Sequence, residues 1–168
     1  MATTTTFEAI RDAYYTAIEA LTPAVMTRAE YKFRRHPDRR ITVRDWASAQ
    51  STDSPFRRFD MRITGDEEEA PILHPGTNSA REVNVLATLT VAYPVLPGMY
   101  GGNDLDDLDD VIESDRRQIF DALRTGANYR DGQNNCQVTV RATDRDTAQD
   151  VWFKDFDCIL TFQVAMTV

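Results

Sequence analysis

The order of hydrophobic periodicities in the second half of the chain limits the available folds more than any other feature. Val83, Val85, Ala87, Leu89, Val91 and Tyr93 recur at every second position and stop at Pro94, the period of a strand. A Gly-rich turn follows. Leu105, Leu108, Val111, Ile112, Ile119, Phe120 and Leu123 then recur at three- and four-residue spacing, which predicts an amphipathic helix of about 20 residues, near 30 Å long. Asp104, Asp106, Asp107, Asp109 and Asp110 crowd its first turns and Gly126 is placed to end it, as the helix dipole and C-terminal capping favour. Two more alternating runs close the chain, Cys136 to Ala142 and Phe156 to Met166, separated by the polar stretch TDRDTAQD. That predicts a hairpin. If it turns around Thr147, Cys136 and Cys158 stand opposite one another, within disulfide reach but held as thiols in a reducing compartment.

The first half is less regular. Phe7, Ile10, Tyr14, Ala17, Ile18 and Leu21 trace a helical stripe, Thr5 with Glu8 forms a capping box, and Thr22-Pro23 ends the run. Residues 1–5 read as a frayed tail. From Ala24 to Ser54 periodicity is weak: Tyr31 and Phe33 suggest a short strand and RRHPDRR a basic turn. Phe59, Met61 and Ile63 alternate with Arg58, Asp60 and Arg62, a half-buried strand. Residues 64–81, with Gly, two Pro and a run of acids, read as a long acidic loop. The strand near 82–93 has apolar residues on both faces and is expected at the centre of the sheet. The sum is an α+β fold, a mostly antiparallel sheet of four to five strands with two helices packed on one face, since each helix has one apolar stripe and both need the same core. Thr88, Thr90, Thr139, Thr161 and Gln163 make the opposite face mildly polar, suited to a neighbouring copy.

A length of 168 residues suits one domain. No window approaches the roughly 18 apolar residues of a membrane span, and the N-terminus does not have the pattern of a secretory signal, so a cytoplasmic product is expected. The net charge is −8, which disfavours non-specific adhesion to nucleic acid. Residues 1–62 carry 11 Arg/Lys against 8 Asp/Glu, net +3, so the remaining 8 against 19 leave residues 63–168 at −11. Such portions have the charges to meet one another between copies.

Catalytic motifs are scarce. His36 and His74 each adjoin a proline in loop-like sequence and are expected to be exposed. Cys136 and Cys158 are too far apart in sequence for a zinc motif. Counting a calcium loop from Asp104 puts Leu108 and Asp109 where an oxygen ligand and glycine are required. GMYGGN lacks the Lys-Ser/Thr of a phosphate loop, and no GxSxG occurs. No catalytic residue, metal ligand or cofactor is assigned.

The succession FEAIRDAYYTAIEAL, VNVLATLTVAYP, DLDDLDDVIESDRRQIFDAL, CQVTVRA and FDCILTFQVAM resembles the tail terminator proteins of long-tailed bacteriophages, and more broadly their neck and tail-completion proteins. The resemblance covers most of residues 5 to 166 and is one of layout rather than of a short motif. It implies a non-enzymatic virion protein, assembled in the host cytoplasm. Its partners would be further copies in a ring, usually a hexamer, together with the tail tube protein and the head connector, with DNA passing through the lumen unbound. Under that reading Asp66, Glu67, Glu68 and Glu69 are the candidate lumen or docking loop. Asp104, Asp106, Asp107, Asp109 and Asp110 are a candidate acidic assembly surface, and Arg34, Arg35, Arg39 and Arg40 a basic intersubunit surface. Two alternatives stay open: a head-closure or adaptor protein of the same neck, and a small α+β enzyme using Asp106, Asp110 and Glu113 as metal ligands or bases.

Overall fold

A computed structural model describes residues 7–24, 31–37, 40–45, 56–68, 80–95, 98–100, 108–125, 135–140, 144–146 and 151–165. The elements are α1 (Phe7–Glu19), β1 (Phe33–Arg35), β2 (Arg57–Glu68), β3 (Ala80–Pro94), α2 (Leu108–Thr125), β4 (Asn135–Val140), β5 (Asp144–Asp146) and β6 (Val151–Ala165). The strands form one sheet in the order β1-β2-β3-β6-β4, with β5 also paired to β6. Every pairing is antiparallel except β1 with β2. The α+β class, the central position of β3 and the helices on a shared face agree with the periodicities.

Rows of the sheet explain the core. Met61, Leu89, Phe156 and Val140 stand side by side across four strands, and the first three are buried. Tyr14, Tyr15 and Ile18 from α1 and Val111, Ile112, Ile119 and Leu123 from α2 close over that face in one cluster. Each fully buried large apolar side chain contributes about 1.5–3 kcal/mol, so this face drives the collapse. Tyr15 lies outside the stripe read from the sequence. Its hydroxyl donates to the Met61 carbonyl and accepts from the Met61 N–H, 3.1 Å each. β1 pairs β2 only as far as Phe59, so the tyrosine satisfies backbone groups that β1 stops short of reaching.

Several expectations are corrected. The stretch read as a loop from residue 64 continues as strand to Glu68, and β3 begins at Ala80. Ladder hydrogen bonds are made by backbone, so acidic side chains do not prevent them. A register shift between Ile63 and Gly65 aligns Asp66 with Val85 and Glu68 with Val83, the one-residue offset of a bulge. In the last hairpin, Cys136 pairs with Leu160 and Val138 with Cys158, two residues from the predicted register. Asp144–Asp146, read as part of the turn, is itself a strand against β6, with Asp146 opposite Val151, so the hairpin is centred beyond Thr147. His36 is buried rather than exposed, at 2%: its Nε2 donates to the Ile41 carbonyl at 2.7 Å and its backbone N–H to the Phe59 carbonyl at 2.9 Å. The helix predicted from Asp104 is described from Leu108; Asp104, Asp106, Asp107 and Gly126 lie outside the described residues, as do Thr5 and His74.

Candidate functional site

Two arrangements of charged side chains stand out, one on each face. On the helix face Arg57 is fully buried and sits between the sheet and α2. Its Nε lies 2.9 Å from Asp115 Oδ2, an ion pair by distance whose N–H is not aligned as a hydrogen bond. Its Nη1 donates to the Tyr31 carbonyl. The guanidinium carbon lies 5.7, 6.0 and 5.3 Å from the ring centres of Phe33, Tyr93 and Tyr100, an aromatic cage of the kind that holds a cation. Tyr93 donates to Asp115 Oδ2 at 3.0 Å. Burial pushes the Asp115 carboxyl up to about 6, against the opposing pull of Arg57, and pushes the Tyr93 hydroxyl well above its ordinary range. The cluster joins β1, β2, β3 and α2. Its ion pair and hydrogen bonds link the sheet to α2, so its role is to fix α2 on the sheet.

The outer face is more charged than the threonines suggested. Thr88 donates to Asp157 at 2.9 Å and Thr90 to Asp155 at 2.6 Å. Both acids alternate with Phe156 and Cys158 in β6, so the period-two pattern that identified the core also contained them. Residues 40–45 lie across part of this face. Thr42 and Asp45 bond reciprocally, Asp45 N–H to Thr42 Oγ1 at 3.1 Å and Thr42 Oγ1 to Asp45 Oδ2 at 2.7 Å, a capping arrangement for the helical turn at 43–45. The Thr42 hydroxyl, and its backbone N–H at 3.4 Å, donate to the Asp45 carboxyl and hold it below its usual range. Val43 then drops onto Ala92, Val151 and Phe153 as a second, smaller core. Its N–H donates to Asp60 Oδ2 at 3.1 Å, and Arg44 bonds Asp155 at 3.2 Å while stacking 4.9 Å above Phe153. Asp60 is buried, which raises its carboxyl despite Val43 and Arg62. Neither this covering segment nor its core was visible in the weak periodicity of residues 24–54.

The predicted site residues separate. Asp66, Glu67 and Glu68 belong to β2, paired with Val85, Asn84 and Val83; Glu69 lies outside the described residues. Asp109 and Asp110 are exposed in the first turn of α2. Glu113, the enzyme alternative's third ligand, is taken up by Arg116 at 2.9 Å and Arg117 at 3.2 Å, which hold it down at about 2. Asp110 shares that helix, and Asp106 is not described. The basic quartet is divided by the strand's own alternation. Arg34 is exposed on the outer face, while Arg35 lies 4.9 Å over Tyr15, 3.7 Å from Asp12, and is committed to α1. Arg40 is exposed and Arg39 is not described.

Among the described residues no group of three or more His, Cys, Asp or Glu is placed to hold a metal ion, and no helix is long and apolar enough to cross a membrane. Neither a protein-family model nor a curated protein matches the chain in sequence.

Proposed function

We propose that the chain is a structural subunit of the neck of a long-tailed bacteriophage, a tail terminator that closes into a six-membered ring on the tail tube and presents a surface to the head connector. The observation that carries the reading is architectural: both helices are spent on one face of a sheet with three long strands, and the charged groups of the other face are arranged as a surface rather than around a cleft. A cyclic ring needs two different patches of one chain to meet and close, which the opposed charges of residues 1–62 and 63–168 supply. Acidic groups facing a lumen, from Asp66 to Glu69, would keep passing DNA from adhering.

Electron microscopy of the purified protein, alone and added to tail tubes lacking their terminator, tests it. A six-fold annulus at the end of the tube is expected. An annulus that binds only the portal side would assign the chain to the head-closure or adaptor role, and an obligate dimer in both settings would remove the ring.

A further inference from the structure

We draw no further inference here: the strongest candidate, the apolar surface patch on the outer face of the sheet where Ile159 of β6, 40% exposed, stands opposite Leu86 of β3, carries nothing because nothing in the structure shows what covers it.

Discussion

Replacing Asp115 by alanine should be among the most destabilising single changes in this chain. Arg57 is completely buried, and its counter-charge is the Asp115 carboxylate 2.9 Å away. Removing one partner of a buried pair typically costs 3–5 kcal/mol because the other charge is left uncompensated. Arg57 would keep the Tyr31 carbonyl and its three aromatic neighbours, so its charge is not left wholly without favourable partners, and a loss at the lower end, about 3 kcal/mol, is expected. With a urea slope of about 2 kcal/mol per molar, the midpoint of unfolding at pH 7 should fall by about 1.5 M. The double change Arg57→Met with Asp115→Leu removes both desolvated charges and should lie within about 1 kcal/mol of wild type, or above it. A midpoint in Asp115→Ala lowered by less than about 0.3 M would mean that the pair is hydrated, and a double variant as unstable as the sum of the singles would mean the two residues are uncoupled.

The same carboxyl predicts a pH dependence. Its folded pKa is raised to about 6 from 3.8, so the folded state holds this proton more tightly; the stabilising contribution is present below about pH 4 and lost as pH rises to about 6, at most about 3 kcal/mol. Asp115→Asn should flatten that part of the stability profile in urea titrations between pH 4 and 7. Glu113 has the opposite sign: held at about 2 by Arg116 and Arg117, it favours folding above its ordinary pKa of 4.5 and loses that as pH falls towards 2. Tyr15→Phe should cost about 1–3 kcal/mol, read by thermal or urea unfolding, because it leaves the Met61 N–H and carbonyl without the hydroxyl that bonds both. Cys136 and Cys158 should remain separate thiols under mild oxidation: they are diagonal across the β4–β6 pair, and such neighbours are about 7–8 Å apart, beyond ordinary disulfide reach. An intact mass two hydrogens lighter in the monomer would refute that register.

Where one physical rule acts locally, residues alone were sufficient. The period-two runs of β3 and β6 and the three-and-four spacing in α2 report which side of each element is dry, and burial at Leu89, Phe156, Val111 and Ile119 follows from that. The α+β class and the shared core face of α1 and α2 come with it. Three things depended on tertiary structure. Charged residues inside the fold, Arg57, Asp60, Asp115 and Lys154, look like solvated positions in a hydropathy pattern, because their burial depends on partners distant in sequence. Strand register depends on the bulge after Ile63 in β2 and β3, and in the last hairpin on a centre beyond Thr147, so the cysteine pairing was missed by two residues even though both strands were identified. The division of Arg34 from Arg35 follows from which strand β1 joins: pairing in parallel with β2 turns one arginine towards α1 and leaves the next beside Arg58. That choice of neighbour is made between segments more than 20 residues apart, where no local pattern records it.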